Sequence, residues 1–263
     1  MLTLAVSGAC GKMGKRLIAL ASEDPNLKVS AAIERGGHEA LGKDAGETAG
    51  SRRLGIAIQE SLSQKVDVLI DFSHPEATEA RLVECQRLAV PVVIGTTGHS
   101  ESQLRLIESA AKHIPVLLSP NMSLGVNLLF SLVGQIAKFL GSDYDVEIVE
   151  AHHRFKKDAP SGTALRLLKE IASQTGADPE KVACYGRKGM VGEKPPREIG
   201  IHAVRVGDIV GEHTVIFSGM GERIEVVHRA HTRDTFARGA LRGAKFLASK
   251  SVGLYTMRDV VGL

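Results

Sequence analysis

Leu2-Thr-Leu-Ala-Val-Ser-Gly-Ala-Cys-Gly-Lys-Met-Gly14 is the stretch on which the fold turns. Leu2 to Ser7 reads as a buried strand. From Lys12 to Ser22, Met13, Leu17, Ile18, Leu20 and Ala21 fall on one side of a helix. Between them lie Gly8, Gly11 and Gly14. A glycine loop that leads from a strand into a helix start is suited to a pyrophosphate: backbone N–H groups point at the anion, and side chains would block its approach. The spacing is G-x-x-G-x-x-G, with Ala9 where the G-x-G-x-x-G pattern has glycine. A turn that serves only strand–helix packing is the competing reading. Glu34 tips the balance. It closes a second strand, Val29 to Ile33, 20 residues after Gly14, where a carboxylate can accept hydrogen bonds from ribose hydroxyls. Arg35 follows and could face a 2′-phosphate, so NADH, NADPH or both are expected as cofactor.

Outward from this unit, strands and helices alternate. Val66–Asp71, Val90–Gly95 and Pro115–Ser119 read as strands, Pro75–Leu88 and Ser100–His113 as helices, and Gly36–Gly55 as a loop. This rhythm implies βαβ units and a doubly wound, Rossmann-like parallel sheet. Open sheets of this kind bind ligands at the carboxyl ends of their strands. Three further loops belong there: Asp71-Phe72-Ser73, Gly95-Thr96-Thr97-Gly98 and Ser119-Pro120-Asn121-Met122-Ser123. Each also reads as a plain turn or helix cap, with Ser100 and Ser123 as capping candidates. After Asn121 the texture changes. A long helix (Gly125–Leu140), a strand (Tyr144–Ala151), a helix (Thr163–Thr175) and candidate strands at Ile199–Val206, His213–Ser218 and Arg223–His228 imply a mixed α+β second domain. Phe236–Ser249 returns to helix. The expected division is 1–122 with 233–263 for the dinucleotide-binding domain, and 123–232 for a substrate-binding and oligomerisation domain.

Composition narrows the function classes. The 263 residues are 43% hydrophobic and 24% charged, which suits a globular chain. A net charge of +3, no Trp and only seven Phe and three Tyr argue against nucleic acid as a partner. Cys10, Cys85 and Cys184 are too scattered for a disulfide framework, which points to the cytoplasm. No run reads as a membrane span, and no secretory signal is evident.

The densest chemistry is Glu150-Ala-His-His-Arg-Phe-Lys-Lys-Asp-Ala-Pro-Ser-Gly-Thr163, from a strand end to a helix start. His152, His153, Arg154, Lys156 and Lys157 gather cationic or proton-donating groups. Their repulsion would lower the pKa of a central His or Lys and suit proton donation near neutrality. Ser161, Gly162 and Thr163 add a helix start for a carboxylate. A solvated charge run is the alternative for Arg154 and Lys157. A cap is the better reading of Ser161 than a nucleophile, because the G-x-S-x-G elbow is missing. No companion ligands at metal-site spacing accompany the paired histidines, so no metal is expected.

The stretch Glu147-Ile-Val-Glu-Ala-His-His-Arg-Phe-Lys-Lys-Asp-Ala-Pro-Ser-Gly-Thr-Ala-Leu165 resembles the signature of the 4-hydroxy-tetrahydrodipicolinate (dihydrodipicolinate) reductase family. The glycine loop, Glu34-Arg35, Asp44-Ala-Gly-Glu47, Gly95-Thr-Thr-Gly98, Ser119-Pro-Asn-Met-Ser123, Gly207-Asp-Ile-Val-Gly-Glu-His213 and Met257-Arg-Asp-Val260 extend the likeness nearly end to end. The resemblance implies a cytoplasmic homotetramer in diaminopimelate and lysine synthesis, which reduces a small cyclic dicarboxylate with NADH or NADPH and loss of water. It implies His152 as acid/base residue and Lys156 as proton donor, with His153, Ser161, Gly162 and Thr163 at the substrate. It implies Gly8, Ala9, Cys10, Gly11, Lys12, Met13, Glu34, Arg35, Phe72, Gly95, Thr96, Thr97, Ser119, Pro120, Asn121 and Met122 at the cofactor, with Arg233 and Phe236 as further candidates. Another two-domain dehydrogenase would keep the glycine loop but would not need the His-His and Ser-Gly-Thr element. A non-catalytic dinucleotide sensor would be expected to carry a DNA- or partner-binding module, and no basic helix-turn-helix pattern is present.

Overall fold

The computed structural model describes residues 1–262; Leu263, the last residue of the expected 233–263 segment, lies outside the described residues. In chain order the first unit runs β1 (Leu2–Ser7), α1 (Lys12–Glu23), β2 (Leu27–Ile33), α2 (Ala45–Thr48), β3 (Ile58–Gln59), β4 (Val68–Asp71), α3 (Pro75–Leu88), β5 (Val92–Ile94), α4 (Glu101–Ala110) and β6 (Pro115–Leu118). The second follows with α5 (Leu124–Leu140), β7 (Asp145–His152), α6 (Gly162–Thr175), α7 (Pro179–Val182), β8 (Ala183–Tyr185), β9 (Ile199–Arg205), β10 (Gly211–Ser218) and β11 (Arg223–Ala230). Then α8 (Asp234–Leu247), β12 (Gly253–Tyr255) and α9 (Met257–Val261) close the chain. By compactness the chain divides into Met1–Leu124 with the segment from Asp234 onward, and Gly125–Arg233.

The first unit holds a seven-stranded sheet in the order β12-β6-β5-β4-β1-β2-β3, with every pair parallel. Its strands are near-continuous aliphatic runs because helices cover both faces. Leu17, Ile18, Ala240, Ala244 and Leu247 from α1 and α8 pack on one face. Leu82, Cys85, Ile107 and Ala110 from α3 and α4 pack on the other. The chain runs outward from β1 to β3, then returns to place β4 on the other side of β1. That reversal opens a crevice at the carboxyl ends of β1 and β4.

Local chemistry explains several boundaries. Pro75 occupies the first turn of α3, where no N–H is needed, and Ala89 ends it in a left-handed conformation at φ 51°. Ser100 and Gln103 form a reciprocal capping box on α4. The segment read as a loop, Gly36–Gly55, contains α2. Asp44 makes it: its carboxylate accepts from the N–H groups of Gly46, Glu47, Leu54, Gly55 and Ile56 and pins the following strand to the helix.

The second unit builds a mixed sheet, β11-β10-β7-β9-β8. β10 pairs antiparallel with β7 and β11, and β9 pairs parallel with β7 and β8. Ile148, Ile201, Val215 and Phe217 face Val126, Leu129, Phe130 and Val133 of α5 and Leu167, Leu168 and Ile171 of α6. Contrary to the sequence expectation, Leu124–Asp143 is long and apolar enough to cross a membrane, with a mean hydropathy of 1.5. Its buried residues pack against the mixed sheet, while Leu128, Leu132 and Phe139 are exposed.

Candidate functional site

The glycines of the first loop are dictated by close approach. A Cβ at Gly8 would run into the carbonyl of Phe72, and one at Gly14 into the carbonyl of Gly8. Gly95 lies so near the Phe72 ring that a side chain there would displace it. Phe72 thus packs against both glycine loops. Behind it, the fully buried Asp71 carboxylate accepts from the hydroxyls of Ser73 (2.5 Å), Thr78 (2.6 Å) and Thr96 (3.1 Å). This ties the ends of β4 and β5 to α3.

The loop's own N–H groups are mostly committed. Those of Gly8 and Ala9 donate to the Ile33 carbonyl and that of Gly11 to Gly8, while Cys10 donates to Glu34 Oε2 at 2.9 Å. No side chain caps α1 at Gly11, so the first-turn N–H groups at Lys12 and Met13 form the anion-facing end. Glu34 Oε1 accepts from the Arg35 N–H at 3.0 Å, which leaves each carboxylate oxygen further acceptor capacity. Burial and the neighbouring Glu34 push the Cys10 thiol above its usual range. Gly8, Gly11, Glu34, Arg35 and Phe72 line one cavity, and Gly95, Thr96 and Thr97 line a second with Met13 and Phe72. These residues fit a dinucleotide. The side chains of four of the expected cofactor residues are turned to other partners. Ala9 and Met122, each 1% exposed, belong to the hydrophobic core. Thr96 and Ser119 spend their hydroxyls on Asp71 and on the Asn121 carbonyl. Pro120 and Asn121 complete that turn, with Asn121 Oδ1 accepting from the Ser123 N–H.

In the second unit the chemistry is organised by a residue to which the sequence reading assigned no role. Glu150 is 0% exposed. Alternation along β7 puts it on the same face as Ile148 and His152. Parallel register sets Arg205 beside His152, and antiparallel register sets His213 opposite Glu150. Arg205 grips Glu150 through two hydrogen bonds of 2.8 Å. His152 Nδ1 lies 2.6 Å from Glu150 Oε2, and the Ser161 N–H donates to Oε1 at 2.9 Å. Burial alone would raise the Glu150 carboxyl, but these donors hold it below its ordinary value.

His152 is held below the usual imidazole range, chiefly by burial. Glu150 pulls it upward, and Lys156 and Arg205 push it down. The expected mutual repulsion among the basic residues is therefore the lesser cause. His213 is lowered to about 3 by burial and then by its histidine neighbours, with its ring centroid 5.3 Å from that of His152. Lys156 Nζ pairs with Asp158 at 2.9 Å, and Arg205 also binds the Asp158 carbonyl at 2.7 Å. His153 stacks loosely on Phe155, with 6.2 Å between ring centroids, and keeps a buried Nδ1 without a partner. Ser161 is 2% exposed and caps α6 through the Ala164 N–H, so its side chain supports the site from behind. Nothing approaches the position of a Gly162 side chain, which leaves space beside Gly162 at the start of α6.

Comparison with known proteins places this geometry. Family models described as dihydrodipicolinate reductase, N-terminus and C-terminus, match residues 2–122 and 125–261. The 4-hydroxy-tetrahydrodipicolinate reductases of Citrifermentans bemidjiense and Geotalea uraniireducens are 50% and 51% identical to this chain, each aligned over 100% of both proteins. A dipicolinate-bound dihydrodipicolinate reductase from Paenisporosarcina sp. TG-14 shares the fold, with a TM-score of 0.75 at 24% identity over 97% of each chain.

Proposed function

This chain belongs to the dihydrodipicolinate reductase family, and from that premise we propose that its two units divide the work of one reaction. The chain is a pyridine-nucleotide-dependent oxidoreductase. It reduces 4-hydroxy-tetrahydrodipicolinate to tetrahydrodipicolinate, with loss of water, in diaminopimelate and lysine biosynthesis. When bound, the reduced nicotinamide supplies the hydride. The first unit holds it: Lys12 and Met13 N–H groups face the pyrophosphate, Glu34 the adenine ribose, and the backbone of Gly95, Thr97 and Asn121 the nicotinamide end.

The observation that carries the reading is the grouping around Glu150 of a buried neutral imidazole, a nearby ammonium and an open helix start. A dicarboxylate, the class of ligand in the neighbouring solved structure, needs fixed donors for both ends. The N–H groups at Gly162 and Thr163 take one carboxylate, with His153 beside them. Lys156 provides the cationic counterpart and gives its proton to the centre that becomes basic as hydride arrives. His152 orients that exchange. Val204 and Val227 are exposed on the sheet face turned from the core, which supports a homotetramer built on this unit; analytical sedimentation should give four chains. We also assign the enzyme to the cytoplasm.

The test is a coupled assay that generates the unstable substrate in situ and follows loss of reduced nicotinamide with each cofactor. Oxidation above background is expected. None with either NADH or NADPH would overturn the assignment.

A further inference from the structure

We infer that Glu150, clamped by Arg205, is the positioning residue of this site: it makes Nδ1 the protonated nitrogen of His152 and leaves Nε2, which lies beside Gly211, as an acceptor. The argument counts lone pairs. An ionised carboxylate can only accept, and it has about four acceptor positions. Two go to the Arg205 guanidinium, one to the Ser161 N–H and one to His152 Nδ1. With every position filled by a donor, Nδ1 must carry a hydrogen. In a neutral imidazole Nε2 then has a lone pair and no proton.

The consequence for the ligand follows from chemistry. An acceptor nitrogen repels a carboxylate and welcomes an O–H or N–H. His152 therefore faces the hydroxyl or ring nitrogen of the substrate rather than one of its carboxylates, and Lys156 is left as the proton donor. The same Glu150 carboxylate fixes the N–H of Ser161, one residue before the open turn at Gly162, so tautomer and carboxylate cradle are set by one group. Arg205 extends the hold by binding the carbonyl of Asp158, whose side chain pairs with Lys156. The catalytic consequence rests on the proposed function; the tautomer does not.

The experiment uses the full-length protein with 15N-labelled histidine. The His152 signals are assigned by their loss in His152→Asn. The titratable groups that act on this imidazole are Glu150, Lys156, Arg205 and His213, and none is altered in the first spectrum. At pH 7.5 the wild type should show a proton-bearing Nδ1 and a proton-free Nε2. A protonated Nε2, alone or in an imidazolium, overturns the inference. Glu150→Gln should scramble the tautomer and lower kcat by about 10²-fold, with cofactor dissociation unchanged, and Glu150→Asp should restore part of both. Retention of tautomer and kcat in a folded Glu150→Gln protein also overturns it. Should that variant fail to fold, the wild-type spectrum decides. An inactive wild type with the expected tautomer would refute the proposed function and leave this assignment standing.

Discussion

A methyl group at Gly14 would collide with the Gly8 carbonyl and the Ala9 Cα, both backbone atoms that cannot step aside. Gly14→Ala should therefore destabilise the first unit by about 1–3 kcal/mol and weaken NAD(P)H binding more than tenfold. Urea unfolding and titration calorimetry read the two effects separately. Lys156 is the opposite case. Its pair with Asp158 sits near the surface, with the Asp158 side chain 61% exposed, so Lys156→Ala should cost no more than about 1 kcal/mol of stability. Its kcat should nonetheless fall by about 10²–10⁴-fold while its thermal midpoint holds. Near-normal turnover in this variant would remove Lys156 from the role of proton donor. Gly14 and Lys156 could both be picked out in the sequence, because loop spacing and charge clustering are local patterns. Arg205 could not, since it meets Glu150 from 55 residues away and only the pairing of β7 with β9 brings them together. Glu150 left a fainter trace: it stands two residues before His152 and so shares its face of the strand.

β7, β10 and β11 carry a line of imidazoles that makes acid stability predictable. His213, in β10, is lowered to about 3, and His152 and His228 are lowered as well, principally by burial. An unfolded histidine titrates near ~6.5. Between these values the unfolded chain binds more protons than the folded one, so stability is complete above about pH 6.5 and is lost as pH falls toward 3. His213 alone should contribute a slope of roughly 1 kcal/mol per pH unit below about pH 6. Glu147, held at about 2 by Arg187, Lys194 and His202 against the opposing effect of burial, adds its loss only below about pH 4.5. Denaturant unfolding from pH 7 to 5 should show the slope in the wild type and a shallower one in His213→Phe; equal slopes would refute it. Elements of ten or more residues were legible because their apolar period repeats. In α3, Pro75 marks the start. The two-residue β3, three-residue β8 and β12, and four-residue α2 and α7 carry no period. The short strands depend on distant partners, such as the edge of β6 for β12, and α2 and α7 on the single aspartates, Asp44 and Asp178, that cap them.

Two compact units in one chain should answer to different ligands. With NAD(P)H in ~100-fold excess over its dissociation constant, the unfolding transition of the first unit should gain about 2.7 kcal/mol. Pyridine-2,6-dicarboxylate should raise that of the second. Differential scanning calorimetry with each ligand separately checks this, and a dicarboxylate that stabilises only the nucleotide-binding unit would contradict the division proposed for this chain. The path of the chain has its own consequence. α8 contributes Ala237, Ala240, Ala244 and Leu247, all 0% exposed, to a sheet whose β1 precedes the inserted unit, and β12 adds the outermost strand. The inserted unit has every strand of its sheet before α8 is synthesised. On the ribosome the mixed sheet can thus form before the parallel sheet has its last helix and strand.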